Sequence, residues 1–143
     1  MQKEIIYQFT FPQSPEEVWE YLTNAGLLAQ WLMPNDFKPI VGHRFQFGTK
    51  PKYPLGFDGR IYCEVLEIVL YRKLVYSWKG GLSKENPSLD STVTWTLMPT
   101  DNGTVLTLEH KGFKGIKNYL AYIIMSKGWA KIGKRLFKQL NPA

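Results

Sequence analysis

The chain has 143 residues, of which 44% are hydrophobic and 21% charged, and this balance excludes a disordered chain and predicts one folded domain over residues 1–143. The formal net charge of +6 favours acidic partners or surfaces but identifies none. A single cysteine, Cys63, excludes an intramolecular disulfide. Since the start is too charged for a signal peptide and no run of about 18 apolar residues occurs, we expect a cytoplasmic protein without a transmembrane segment.

The first predicted elements are a strand and a short helix. Residues 3–11 loosely alternate between two faces, which is the period-two pattern of a strand, and Pro12 ends it. Ser14 suits the N-cap of a helix, Pro15 suits its first position, and Glu17 stands at the capping-box spacing from Ser14. These signals predict a helix that begins at residue 15.

A second short helix and a series of strands follow. A break at residues 24–26 separates the two helices, and Met33-Pro34-Asn35 ends the second one. Alternating apolar residues predict further strands at residues 44–47, 57–68, 74–79, 92–98 and 104–110. Glycine, proline and polar residues predict long loops at residues 48–59 and 80–90.

The chain ends in a predicted long helix with one basic face. From residue 116 to residue 140, apolar side chains recur at helical spacing. No acidic residue follows Glu109, whereas eight lysines and arginines do. Five of these basic residues lie on another face of the predicted helix, namely Lys127, Lys131, Lys134, Arg135 and Lys138. We interpret them as the solvated side of an amphipathic helix. We expect no nucleic-acid partner, because exposed aromatic residues for base stacking are not interleaved with them.

Several sequence motifs together resemble those of a known fold. They are Ser14-Pro15-Glu16-Glu17-Val18-Trp19 with Trp31, Val41-Gly42-His43-Arg44-Phe45, Gly59-Arg60-Ile61 with Glu64-Val65, Lys73-Leu74-Val75-Tyr76-Ser77-Trp78, Thr107-Leu108-Glu109-His110-Lys111-Gly112-Phe113, and Gly128-Trp129. In order and spacing, the chain resembles the heat-shock protein 90 ATPase activator homologue-like family. That family lies within the superfamily of START domains, birch-pollen allergens and polyketide cyclase-like (SRPBCC) proteins.

The resemblance implies an α+β helix-grip fold. In this fold a curved antiparallel sheet of about six or seven strands wraps round a long C-terminal helix, and two short helices follow the first strand. The chain departs from the family at Val69-Leu70-Tyr71, where a proline-containing turn is usual. We expect this difference to alter one turn.

The resemblance also implies an internal cavity between the sheet and the C-terminal helix, which would bind a hydrophobic small molecule or a lipid. The expected ligand-binding residues are Trp31, Phe47, Ile61, Cys63, Tyr76, Trp78, Val93, Trp95, Leu108, His110, Tyr122, Met125 and Trp129. We expect no cofactor and assign no catalytic residue. We also expect no metal site, because His43, Cys63 and His110 are not paired at ligand spacing.

Two other functions stay open from the sequence. Strand alternation places His110 on the inner face, where it could serve as acid or base in a cyclase, hydratase or hydrolase. It could instead be a structural histidine at the end of a strand, bonded to the backbone. A cochaperone-like module could instead bind a protein partner through the outer face of the sheet or the basic helix. Cys63 on an apolar strand face indicates an inert buried thiol, and Asp58 beside the predicted loop indicates a turn residue.

Overall fold

A computed structural model describes residues 2–49, 58–83, 86–114 and 117–142. The elements in chain order are β1 (Gln2–Phe11), α1 (Pro15–Thr23), α2 (Ala25–Trp31), β2 (Arg44–Gly48), β3 (Arg60–Val69), β4 (Lys73–Ser83), β5 (Asn86–Thr100), β6 (Gly103–Lys114) and α3 (Lys117–Leu140).

The strands form one antiparallel sheet in the order β1-β6-β5-β4-β3-β2. Strands β2 to β6 therefore follow one another as a meander, and β1 pairs with the last of them. Helices α1 and α2 join the two edges of the sheet, and α3 packs against β1, β5 and β6. This arrangement confirms the predicted α+β helix-grip fold, with six strands in a curved open sheet.

The two short helices share one capping residue. Ser14 caps α1, since its Oγ accepts a hydrogen bond from the backbone N–H of Glu17 at 3.3 Å, as the capping box predicts. Asn24 ends α1 and caps α2, because its Oδ1 accepts from the backbone N–H of Leu27 at 3.1 Å. The predicted break between the helices is therefore a single capped corner.

The predicted loop at residues 80–90 is wrong for the residues that the structure describes there. Strand β4 continues through Gly80 and Gly81, which pair with Leu89 and Pro87 of β5. The register shifts next to Gly81, and such bulges are frequent at glycines in strands. Glycine has a low intrinsic preference for strands, which explains the wrong prediction. Here the backbone of the long strand β5 pairs with both glycines and keeps them in β4. The other predicted loop, residues 48–59, lies largely outside the described residues.

Helix α3 places one apolar face on the sheet, as predicted. Trp129 and Leu136 are fully buried, whereas the predicted basic residues of α3 are exposed. Gly133 allows a close approach, because a Cβ atom at this position would overlap the ring of Phe9 on β1. Gly128, one and a half turns earlier, has no neighbour within 4 Å of its would-be Cβ. None of the described helices meets the length and hydropathy needed to cross a bilayer.

These two glycines provide a matched test of the packing of α3. We expect Gly133→Ala to lower the free energy of unfolding by about 1–3 kcal/mol, because the added methyl group overpacks against Phe9. Gly128→Ala should raise it by up to about 1 kcal/mol, since alanine favours the helix and meets no neighbour. Urea unfolding of both variants measures the difference. Equal effects would contradict the close approach at Gly133.

Candidate functional site

The expected ligand-binding residues lie together in the interior between the inner face of the sheet, α2 and α3. Those that are at most 5% exposed are Trp31, Phe47, Ile61, Cys63, Tyr76, Trp78, Val93, Trp95, Leu108, His110 and Trp129. Tyr122 and Met125 of α3 are partly buried and pack against this core. Alternation along the strands places the strand residues of this set on one face of the sheet, since successive side chains point to opposite sides.

Aromatic side chains in this interior contact one another directly. The ring of Trp95 lies edge-on to Trp31 and Trp129, with centroid distances of 5.9 and 5.6 Å. Trp78 lies 5.2 Å from Trp129 and 5.4 Å from Phe47. Edge-to-face and tilted contacts of this kind stabilise a core. Around these rings the interior is packed, so a bound molecule would have to displace side chains.

His110 joins α3 to the sheet through both of its ring nitrogens. Its Nδ1 accepts a hydrogen bond from Trp129 Nε1 at 2.9 Å. Its Nε2 lies 2.8 Å from Ser91 Oγ, which itself donates to the backbone oxygen of Trp78 at 2.7 Å. Because Nδ1 accepts and the Ser91 proton is already used, Nε2 carries the imidazole proton and donates it to Ser91. His110 is therefore a neutral structural histidine, and its partners are two side chains rather than the expected backbone groups.

Burial explains the ionisation of the titratable groups in this interior. It lowers the pKa of His110 from 6.5 to about 3, because the charged imidazolium would lose its hydration. Burial also raises the pKa of the Tyr76 hydroxyl, which accepts a hydrogen bond from Trp95 Nε1 at 2.9 Å. The pKa of the Cys63 thiol is raised by burial first and by the charge of Asp36 second. A thiol held in its neutral form is a poor nucleophile, as its strand position predicts.

Trp78 carries an unpaired polar atom at the centre of this interior. Its Nε1 is buried, and no acceptor among the described residues lies within hydrogen-bond distance. The indole nitrogens of Trp31, Trp95 and Trp129 each donate to an oxygen or nitrogen acceptor at 2.9 Å. Since buried donors are normally satisfied, Trp78 is an exception that calls for an explanation.

Ser91, the hydrogen-bond partner of His110, is not among the residues expected from the sequence. It falls between the loop predicted to end at residue 90 and the strand predicted to begin at Thr92. In the structure β5 already includes Ser91, which shares the inner face with Val93 and is 3% exposed. The signal was present, because period-two alternation continued backwards from Val93 reaches Ser91.

Asp58 is a titratable residue that the sequence analysis assigns to a turn. Asp58 accepts hydrogen bonds from the backbone N–H of Arg60 at 2.9 Å and the hydroxyl of Tyr62 at 2.6 Å, which confirms its role in a turn.

A groove of about 410 Å³ on the β2–β4 side is lined by Asp36, Arg44, Phe45, Gln46, Tyr62, Cys63, Glu64, Ser77 and Lys79. Its two carboxylates and two cations balance, so it favours no ligand of one charge.

The lowered pKa of His110 predicts a pH-dependent stability. The neutral form is favoured in the folded state, so this stabilisation is complete above pH 6.5 and is lost as the pH falls from 6.5 towards 3. His110→Gln keeps one acceptor and one donor but cannot take up the proton. Between pH 6.5 and pH 3, we expect the free energy of unfolding of the wild type to fall relative to that of the variant. The expected slope is about 1.4 kcal/mol for each unit by which the pH is lowered. Urea unfolding at several pH values measures this, and parallel curves would contradict the assignment.

Comparisons with known proteins identify the family of this chain. A model of the family described as activator of Hsp90 ATPase homolog 1-like protein matches residues 12–141. The chain is similar to protein MLL2253 from Mesorhizobium loti, with 34% identity and a TM-score of 0.86, over 99% of this chain and 98% of that one. No curated protein matches the chain.

Two further solved structures share the fold. Protein BH1534 from Bacillus halodurans has 26% identity and a TM-score of 0.73, over 97% of this chain and 99% of that one. CalU16 from Micromonospora echinospora has 21% identity and a TM-score of 0.74, over 99% of this chain and 78% of that one, and this likeness concerns the fold alone. The family match covers nearly the whole chain and agrees with the sequence motifs. The chain therefore belongs to the activator of Hsp90 ATPase homolog 1-like family and has the helix-grip fold.

Proposed function

We propose that this protein binds an uncharged, largely apolar small molecule or lipid that carries a hydrogen-bond acceptor, between the sheet and the first half of α3. The observation that carries the proposal is the unpaired Nε1 of Trp78 among the described residues. Leaving a buried donor without a partner costs about 1–3 kcal/mol. An acceptor on a bound molecule would remove this cost.

The surroundings of Trp78 define the class of molecule. Its ring faces Phe47, Trp129 and the neutral ring of His110, at centroid distances of 5.2 to 5.5 Å. In the part of the chain whose burial is described, no Asp, Glu, Lys or Arg side chain is buried. A charged ligand here would lose its hydration without gaining a counter-charge. The favoured occupant is therefore uncharged, with an acceptor such as a carbonyl, ether or hydroxyl oxygen.

The packing of α3 indicates where such a molecule would enter. Tyr122, Met125 and Ser126 are only partly buried, whereas Trp129 and Leu136 in the second half are fully buried. Looser burial implies fewer contacts to break when the helix moves. Tyr122 lies edge-on to Phe113 at 5.7 Å, and Phe113 lies 4.6 Å from His110. Displacement of Tyr122 would thus expose a path of aromatic rings towards Trp78.

The other functions receive less support from the geometry. Both nitrogens of His110 are engaged in hydrogen bonds, and its pKa of about 3 keeps the imidazole neutral, so the imidazolium that would act as a general acid does not form near neutral pH. The family name describes an activator of the Hsp90 ATPase, but membership of a fold family does not transfer that activity. Ligand binding requires neither a protonated His110 nor an activity carried over from the family name.

A pair of matched probes tests the acceptor directly. 2-Acetylnaphthalene and 2-ethylnaphthalene have nearly the same shape, but only the ketone offers an acceptor. We expect the wild-type protein to bind the ketone about 2- to 10-fold more tightly, which is the value of one net hydrogen bond. Quenching of tryptophan fluorescence reports both dissociation constants. Equal affinities, or no binding of either probe up to its solubility limit, would contradict the proposal.

Two variants on neighbouring strands separate ligand recognition from stability. Trp78→Phe removes a donor that has no partner, whereas Trp95→Phe removes the bond to Tyr76. We expect Trp78→Phe to abolish the preference for the ketone. Trp95→Phe should keep that preference but lose about 1 kcal/mol more stability than Trp78→Phe. The opposite pattern, measured by fluorescence titration and urea unfolding, would reject the role of Trp78.

A further inference from the structure

The two edges of the sheet differ in how they are covered. The edge strand β2 finds partners in the chain that precedes it. The N–H of Gly48 donates to the oxygen of Pro34 at 3.0 Å. The N–H of Gln46 donates to Asp36 Oδ1 at 2.8 Å. At the other edge, no segment apart from β6 forms a backbone hydrogen bond with β1 within the described part of the chain. The outward N–H and C=O groups of β1 are therefore open to a further strand.

This open edge is long and accessible. Strand β1 has ten residues, whereas β2 has five. A register shift between Lys3 and Glu4 disturbs its beginning, and the rest pairs with β6 without interruption. On the inner face, Tyr7 and Phe9 are only partly buried, although α3 packs against β1. Long open edges pair readily with other chains unless they are protected.

Helix α3 runs alongside β1, in the same direction. Three pairs of residues make contact in order along both elements, namely Tyr7 with Ser126, Phe9 with Gly133, and Phe11 with Phe137. The hydroxyl of the first pair donates to a backbone oxygen at 2.9 Å, and the rings of the last pair lie 5.8 Å apart. A strand added at the β1 edge would therefore lie next to α3 along its length.

The helix residue of each pair is followed by a lysine. These lysines are Lys127, Lys134 and Lys138. An α-helix turns by about 100° per residue. The buried Trp129 and Leu136 thus lie roughly 60–80° to one side of the residues that contact β1, and the lysines lie roughly 80–120° to the other side. Since the buried side faces the middle of the sheet, the lysines project beyond β1, towards its open edge.

Lys131 joins these three lysines in one row along the helix, which we call the lysine row. Its members fall at the spacing i, i+4, i+7 and i+11, and all four are exposed. Across the described residues, no carboxylate lies within 4.0 Å of any of them. No acidic residue follows Glu109 in the sequence, so α3 itself supplies no counter-charge. A lysine face on a helix is ordinary, but this one borders an open strand edge.

We propose that the open edge of β1 binds an extended acidic segment of a partner protein, which adds a strand to the sheet and directs alternate acidic side chains at the lysine row. In strand addition, main-chain hydrogen bonds supply affinity and alternate side chains supply specificity. The added strand would lie about 4.8 Å from β1, within reach of the long lysine side chains. The open backbone groups and the unpaired cations thus select the same chemistry.

Other occupants match only one of these two features. A second copy of the chain would offer its own β1, but it would also place a second lysine row beside the first. A nucleic acid or an anionic membrane would neutralise the lysines but leave the backbone groups of β1 unpaired. An extended acidic peptide matches both features.

This inference does not depend on the proposed ligand, because the β1 edge and the lysine row lie outside the aromatic interior. Peptide binding can fail while the interior still binds the ketone probe, and the reverse also holds. The two proposals therefore stand or fall by separate measurements.

Fluorescence anisotropy of labelled peptides with the full chain tests the docking. The probe alternates glutamate and valine over about eight residues, and a control of the same composition carries its glutamates in one block. We expect the alternating peptide to bind about 10-fold more tightly, because all of its glutamates face the lysine row at once. Equal binding of the two peptides would overturn the proposal, since charge alone would then account for it. So would the absence of binding by both peptides.

Methyl groups on the amide nitrogens of the alternating peptide test the strand pairing. Successive N–H groups of a strand point to opposite edges, so either the glutamate amides or the valine amides face β1. Methylation of one set should weaken binding by about 10-fold or more, whereas methylation of the other set should leave it nearly unchanged. Equal effects of the two methylations would rule out an added strand.

Lys134→Glu and Lys38→Glu form a matched pair of charge reversals. Both lysines are exposed and both variants change the net charge equally, but Lys38 precedes β2 at the opposite edge of the sheet. We expect Lys134→Glu to weaken binding of the alternating peptide about 5-fold and Lys38→Glu to leave it unchanged. Equal losses would contradict the position of the site. A dimer in sedimentation equilibrium that the peptide dissociates would also overturn the proposal, since the edge would then belong to a second copy.

Discussion

A chain of buried hydrogen bonds from α3 to three strands organises the interior of this protein. Trp129 donates to His110, His110 donates to Ser91, and Ser91 donates to the backbone oxygen of Trp78. The bonds thus join α3, β6, β5 and β4 in sequence. Because buried polar groups must be satisfied internally, the position of α3 on the sheet and the neutral state of the histidine depend on one another. The basic face of α3 then faces outwards.

The rule that buried polar groups need internal partners also applies to the indole of Trp78. Its carbonyl ends the hydrogen-bond chain, whereas its Nε1 has no acceptor among the described residues. The surrounding rings are well packed, so the unpaired donor is not the result of a loose core. A protein that only needed stability would do better with an apolar ring here. An acceptor on the proposed ligand would pair this donor, at the cost of displacing neighbouring side chains. Among the residues whose burial is described, the interior thus holds one unpaired donor and no Asp, Glu, Lys or Arg side chain.

Much of the fold could be predicted from the sequence, because local patterns agreed with the tertiary contacts. Ser14 and Glu17 predicted the start of α1, and alternation predicted the inner faces of β3 to β6. Residues 80–90 could not be assigned correctly, since Gly80 and Gly81 are held in β4 by a partner strand that no local pattern reveals. The same error hid Ser91. Whether a buried histidine is bonded within the fold or free to act depends on distant partners, and sequence alone left that question open for His110.

The central claim is that Trp78 keeps its Nε1–H for a ligand acceptor, and the indole region of a ¹H–¹⁵N correlation spectrum tests it most directly. On titration with 2-acetylnaphthalene, the Trp78 Nε1–H signal should move downfield, as expected for a newly formed hydrogen bond. The signals of Trp31 and Trp95 should move much less, because their donors are already engaged. An unchanged Trp78 signal, while tryptophan fluorescence shows that the ketone is bound, would contradict the account.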